Sequence, residues 1–341
     1  MSEKTEYLSK RLLLIIGIIW VAILVIGLIL YFTGFNEAFY SDSSTIRAAF
    51  KAITYLGEPV TYIIIATIIY LGYNKNLAKR AVIMLLFSEY LVYIFKGIFQ
   101  DQRPLTNEDP TEDYGFIEPK YGFPSGHTQN SFSFYEYLAN EFKDEYKYKQ
   151  VPIVPIILSG IVFLIAISRM IIGVHDLQDV IGGFLIGIGI LLLYIYLEPF
   201  FSEQFNKLNL ITKIILTVAV SLLLFLLGTL WFPNAGLGLV DPPLYYRDAG
   251  GFAEVGGVLI GFGVGYILEH EYIKYNPSQL TNKKKLINLI IGILILLVVF
   301  LPFEYLIEID SVFYRLARYA LIGFVLAYIV PLICTKIDSK L

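Results

Sequence analysis

Ser168-Arg169-Met170-Ile171-Ile172-Gly173-Val174-His175-Asp176-Leu177-Gln178-Asp179 joins two apolar runs, 151–170 and 177–198, each of a length that crosses a bilayer. Charged side chains are costly in such a place unless they have a task. His175 and Asp179 stand four residues apart, so on a helix they share a face. A carboxylate beside an imidazole fixes its tautomer and supports the cation formed when the other ring nitrogen attacks. Arg169 adds a planar cationic fork that suits phosphate oxygens. Taken alone, the stretch admits two accounts: a nucleophilic histidine beside an anion site, or a polar loop between two spans.

Composition narrows the class. The chain of 341 residues is 57% hydrophobic and 16% charged, with a mean hydropathy of +0.67. That balance belongs to an integral membrane protein, not to a soluble globule. The net charge of -3 says nothing about nucleic acid; no basic patch appears, and no nucleic-acid partner is expected. The single cysteine, Cys334, cannot close an internal disulfide and is expected as a buried thiol. Only three histidines occur, His127, His175 and His270, and His270 is expected at the surface.

Apolar runs predict helical spans near 12–32, 51–73, 81–99, 151–170, 177–198, 209–232, 251–268, 286–303 and 312–333. The first is too long for a signal-peptide core and is expected to be retained. Residues 125–141 are too polar to face lipid, but a helix there is allowed inside a bundle. Counting it as a tenth crossing, with the N-terminus inside, places most Lys and Arg on the inner side; nine crossings reverse that balance. Ten crossings also put 96–127 and 168–179 on one outer face. The inner loops 143–150 and 269–285 then carry lysines, and Lys283-Lys284-Lys285 reads as a topology signal. The acidic outer loop, with Asp101, Glu108, Asp109, Glu112, Asp113 and Glu118, is expected as solvated surface.

Two further stretches carry chemistry. In Lys96-Gly97-Ile98-Phe99-Gln100-Asp101-Gln102-Arg103-Pro104 the two cations lie two turns apart on one face if the helix persists, and Pro104 ends regular structure. Both can then point at one anion; snorkelling residues at a span end are the plain alternative. Phe123-Pro124-Ser125-Gly126-His127 opens the tenth helix. Small residues at a helix start bring backbone N–H groups to an anion, and the dipole favours negative charge there. His127 in the first turn can give a proton to a leaving group. Together these stretches suit displacement at phosphorus, and no set of carboxylates or histidines has the sequence spacing of a zinc or magnesium site.

The three stretches resemble the K-x6-R-P, P-S-G-H and S-R-x5-H-x3-D signatures of the type-2 phosphatidic acid phosphatase superfamily, matched in order and without substitution over roughly residues 50–198. The resemblance implies an all-α polytopic membrane bundle of about ten transmembrane helices. A six-helix phosphatase core (residues 1–200) would be followed by four additional helices (201–341). It implies His175 as the nucleophile that becomes phosphohistidine, Asp179 as its support, and His127 as the acid for the leaving group. Lys96, Arg103, Ser125, Gly126, Ser168 and Arg169 would bind the phosphoryl group, with no metal and no cofactor. The implied substrate is a lipid phosphate or a polyprenyl or lipid pyrophosphate, arriving sideways from the bilayer. The expected place is the cell membrane, with both termini cytoplasmic and the site on the extracytoplasmic face. A phosphotransferase using the same histidine and a transporter or scaffold on a retired fold are the alternatives. Beyond the resemblance, Gly182-Gly183-x3-Gly187-x-Gly189 echoes Gly256-Gly257-x3-Gly261-x-Gly263. The echo reads as close helix packing. Partial duplication is the other account, with Arg247-Asp248 as an added headgroup contact.

Overall fold

A computed structural model describes residues 10–32, 39–101, 103–104, 121–148, 151–231, 250–305 and 311–339. The helices are α1 (Lys10–Phe32), α2 (Ser44–Thr54), α3 (Pro59–Gly72), α4 (Lys75–Phe99), α5 (Gly126–Glu141), α6 (Ile153–Ile171), α7 (Leu177–Asn206), α8 (Leu210–Trp231), α9 (Gly250–Leu268), α10 (Asn282–Tyr305), α11 (Val312–Phe324) and α12 (Val330–Asp338). A two-residue pair of strands, β1 (Lys147–Tyr148) and β2 (Val151–Pro152), joins α5 to α6. π-helical turns extend α9 over Glu269–Ile273 and link α11 to α12 over Val325–Ile329. The chain is therefore an all-α membrane protein. Large apolar side chains such as Phe163, Leu164, Ile215 and Val298 stay exposed on the long helices, as a lipid-facing surface requires.

The helical segments follow the ten predicted runs, with two refinements. Among the described residues, seven helices are long and apolar enough to cross a membrane. An eighth crossing is a bent pair, Ser44–Gly57 with Pro59–Gly72, turned by 47°. The sequence predicts one continuous span near 51–73; Gly57-Glu58-Pro59 breaks it. Proline lacks the N–H that would continue the helix and drives the preceding residue to extended geometry, and Glu58 sits at φ -86, ψ 151. In α1 the apolar stretch Gly17–Ile29 is shorter than a full span; Trp20 Nε1 there donates to the Leu185 carbonyl at 3.0 Å. The remaining segment, α5, is the polar one.

The chain divides into two compact units. One comprises Met1–Thr61 and Phe87–Gln204, the other Tyr62–Leu86 and Phe205–Leu341. Both units are discontinuous in sequence, with Tyr62–Leu86 grouping with the later helices.

In the first unit α5 is the central element. Ser125 caps it, its side chain accepting from the Thr128 N–H. Neighbours satisfy several polar groups of its buried face, while Gln129 Oε1 and Ser133 Oγ stay without a partner among the described residues. Gln129 Nε2 donates to the Ser88 carbonyl at 2.9 Å, Ser88 Oγ to Asn130 Oδ1 at 2.7 Å, and Tyr135 OH to the Leu56 carbonyl at 2.6 Å. Helix α7 approaches α5 along Gly182, Gly183 and Gly187. A Cβ on Gly183 would meet the Ser125 carbonyl oxygen at 2.8 Å, and one on Gly187 the Gln129 oxygen at 3.2 Å.

The second unit repeats that device. A Cβ on Gly261 would overlap the Ala320 carbonyl, and one on Gly257 the Leu316 carbonyl, so α9 and α11 pack backbone to backbone. Both glycine series therefore serve close helix contacts. Buried Glu269 accepts from Lys75 Nζ on both carboxylate oxygens, at 2.9 and 3.0 Å, and from the Tyr275 N–H at 2.6 Å. Cys334 is buried against the Asn288 carbonyl, and His270 is exposed. Residues 105–120 and 232–249 lie outside the described residues, and with them Glu108, Asp109, Glu112, Asp113, Glu118, Arg247 and Asp248.

Candidate active site

The site assembles where α6 hands over to α7. Gly173, at φ 79, turns the chain after α6, a conformation that glycine adopts without strain. The Arg169 carbonyl closes this turn by accepting from the N–H groups of Val174 (3.2 Å) and His175 (3.3 Å). His175 itself is not helical. Asp176 caps α7 instead, its Oδ1 accepting from the Asp179 N–H at 2.9 Å. The predicted pairing on one helix face is therefore made across a helix start. His175 Nδ1 still lies 2.7 Å from Asp179 Oδ2, both side chains buried.

This contact assigns the tautomer. Nδ1–H donates to the carboxylate, leaving Nε2 as the unprotonated nitrogen. Arg103 Nη1 stands 3.1 Å from Nε2 and donates to the Val174 carbonyl at 2.7 Å. Burial, followed by the charges of Arg103, Lys96 and Arg169, holds the His175 imidazole well below the usual histidine range. The ring is neutral at pH 7. Lowering the pH through 6.5 protonates the unfolded chain's imidazole but not this one, so stability should fall from pH 6.5 downwards until the lowered folded value is passed. Nitrogen-15 NMR of labelled histidine, simplified by a total of three residues, checks this; a His175 titrating near 6.5 contradicts it.

Arg103 does not arrive on the helix as predicted. α4 ends at Phe99, and Gln100 takes a left-handed conformation at φ 49 while its N–H closes the last turn on the Lys96 carbonyl. Lys96 and Arg103 both remain buried. Lys96 Nζ donates to the carbonyls of Tyr121 and Gly122, the latter at 2.9 Å, and so ties down the approach to α5. The Ser125 N–H donates to the Asp179 carbonyl at 2.9 Å, and Gly126 opens α5 against Val92. Ser168 Oγ donates to the Ile165 carbonyl at 2.6 Å within its own helix. Arg169 is entirely buried; its Nη1 donates to Thr54 Oγ1 at 2.9 Å and lies 3.5 Å from His127 Nε2. The structure thus brings Arg103, Arg169 and both histidines together.

Two features were not legible in spacing. His127 Nε2 meets Glu58 Oε1 at 3.0 Å. The one available signal for Glu58 was a carboxylate inside an apolar run. Asp101, Asp176 and Asp179 place carboxylate oxygens within 4.8 Å of one another. Sequence spacing did not show this group, because the three carboxylates come from two separate stretches of the chain. Burial raises the carboxyl of Asp176 to about 6 and also raises that of Asp101, so the group gathers protons readily.

Similarity to known proteins follows the same residues. The PAP2 superfamily model matches residues 77–203, and the model of the PAP2 superfamily phosphatase transmembrane extension matches residues 253–340. The chain belongs to the PAP2 superfamily. It is 27% identical over 176 residues to lipid phosphate phosphatase delta of Arabidopsis thaliana, covering 48% of this chain and 42% of that protein. It is 35% identical over 92 residues to phosphatidylglycerophosphatase B of Bacillus subtilis (strain 168), covering 26% and 43%. Sphingosine-1-phosphate phosphatase 2 of Mus musculus is 27% identical over 139 residues, covering 40% and 38%. The chain thus spans less than half the length of these curated relatives. A crystal structure of a transmembrane PAP2 type phosphatidylglycerolphosphate phosphatase from Bacillus subtilis aligns at 25% identity with a TM-score of 0.29, covering 56% of this chain and 98% of that one.

Proposed function

We propose that this protein is a membrane phosphatase that hydrolyses a lipid phosphate through a phosphohistidine at His175, without a metal ion. The observation that carries the reading is the buried His175–Asp179 pair with its unprotonated Nε2 directed at a cationic fork. Nε2 attacks phosphorus, the P–N bond forms and the bond to the lipid oxygen breaks. His127 gives that oxygen a proton. Arg103 and Arg169, with Lys96 and the start of α5, neutralise the charge developing on the phosphoryl oxygens. Asp179 supports the imidazolium. Water then attacks phosphorus, its proton passes to His127, and the P–N bond breaks.

Ser125 contributes its hydroxyl hydrogen, and Gly126 the close backbone approach at the helix start. Ser168 holds the end of α6. The positive-inside balance supports an extracytoplasmic site in the cell membrane with both termini cytoplasmic. Residues 1–200 hold the phosphatase core, and 201–341 are additional membrane helices.

Purified protein in detergent, assayed for phosphate release on phosphatidic acid, phosphatidylglycerol phosphate, sphingosine-1-phosphate and a polyprenyl diphosphate, tests the reading. Turnover of at least one substrate is expected, undiminished by EDTA. Loss under EDTA with recovery on adding magnesium would overturn the metal-free mechanism and direct attention to Asp101, Asp176 and Asp179.

A further inference from the structure

Gly57-Glu58-Pro59 interrupts an otherwise apolar helical pair, and its geometry serves the site. A Cβ on Gly57 would meet His127 Cδ2 at 3.0 Å and Ile165 Cγ2 at 3.0 Å, so glycine lets the imidazole lie against the main chain. Pro59 holds Glu58 in extended geometry. The Glu58 carbonyl accepts from the Thr61 N–H at 3.0 Å and the Glu58 N–H donates to the Tyr55 carbonyl at 3.2 Å, which closes the break on both sides. The same segment is clamped to the site by Thr54, which accepts from Arg169, and by Leu56, which accepts from Tyr135. Glu58 therefore has a defined place, with Oε1 3.0 Å from His127 Nε2 and about a quarter of its side chain exposed (27%).

A carboxylate beside an anion site is unfavourable for anion binding, so its position matters. His127 Nε2 faces both Glu58, at 3.0 Å, and Arg169, at 3.5 Å. The nitrogen that protonates the departing oxygen is thus the one Glu58 touches. Whatever carries that oxygen passes beside the carboxylate. A second phosphate there meets a like charge at close range. A hydroxyl or ammonium there meets an acceptor.

We propose that Glu58 sorts substrates by their leaving group, admitting monophosphate esters of alcohols that bear a neighbouring hydroxyl or ammonium donor and rejecting diphosphates. The proposal rests on the phosphatase reading and names its substrate class. Glu58 also acts as a positioning residue, because its contact with Nε2 fixes the His127 ring.

The test compares kcat/KM for sphingosine-1-phosphate, whose alcohol bears a neighbouring ammonium and hydroxyl, with that for a polyprenyl diphosphate, in wild type, Glu58→Gln and Glu58→Ala. Wild type is expected to favour the monophosphate about tenfold or more, and both variants to shift the ratio toward the diphosphate by about tenfold or more. Calorimetric binding of inorganic pyrophosphate against orthophosphate gives the same comparison in any variant that folds, whatever its turnover. A ratio unchanged by either substitution, or a wild type that prefers the diphosphate, overturns the proposal while leaving the phosphatase reading intact. A wild type inert on every lipid phosphate overturns both. A general loss of folding would lower both substrates alike and would not move the ratio.

Discussion

Replacing His175 by alanine should abolish turnover, with a loss on the order of 10⁴-fold or more, because nucleophile and charge acceptor vanish together. The pocket offers no substitute. His127 is engaged by Glu58 on the nitrogen that faces Arg169, and no third histidine lies in this unit. The variant should still fold. Removing a neutral ring leaves a small cavity beside Asp179, whose N–H still donates to Asp176 Oδ1 and whose carbonyl still accepts from the Ser125 N–H. Brief incubation of wild type with a labelled lipid phosphate, followed by alkaline quenching, should trap label on His175, and the variant should trap none. Full activity in His175→Ala would favour a protein whose phosphate chemistry lies elsewhere.

The largest expected effect on stability comes from Gly261→Ala. The added methyl would overlap the carbonyl of Ala320, a backbone atom on α11 that cannot swing away. The two helices must separate, and the contacts along Gly257, Gly265 and Gly323 loosen with them. Overpacking of this kind costs about 3 kcal/mol when backbone opposes backbone, well above the gain of about 1 kcal/mol from alanine's helix propensity. The net loss of about 2 kcal/mol should lower the thermal midpoint of the detergent-solubilised protein by roughly 4–8 °C. Gly189→Ala is the control: nothing lies within 4 Å of a Cβ there, so its midpoint should hold or rise slightly.

The helical segments were visible because apolar length is written locally. The polar α5 is expected as a helix inside the bundle because its residues are too polar to face lipid. The motif residues Arg103, His127, Arg169 and His175 could be named because their types and spacing point to phosphate chemistry. The break at Glu58 escaped because a run of aliphatics outweighs one Gly-Glu-Pro interruption in any window of span length. Asp101 read as solvated surface because nothing local tells that its carboxylate comes to lie beside Asp176 and Asp179. The helix predicted to carry Lys96 through Arg103 ended early because Gln100 adopts a conformation that propensity disfavours. Each of these is a tertiary fact, decided by partners distant in the chain.

The Ser125 N–H bond to the Asp179 carbonyl joins the start of the helix bearing His127 to the start of the helix supporting His175. Gly183 then presses against the Ser125 carbonyl from the other side. Main-chain atoms, not side chains, act as the caliper that sets the gap between the two helix starts. Side-chain substitutions on the rim, Glu58 apart, should leave that gauge unaltered.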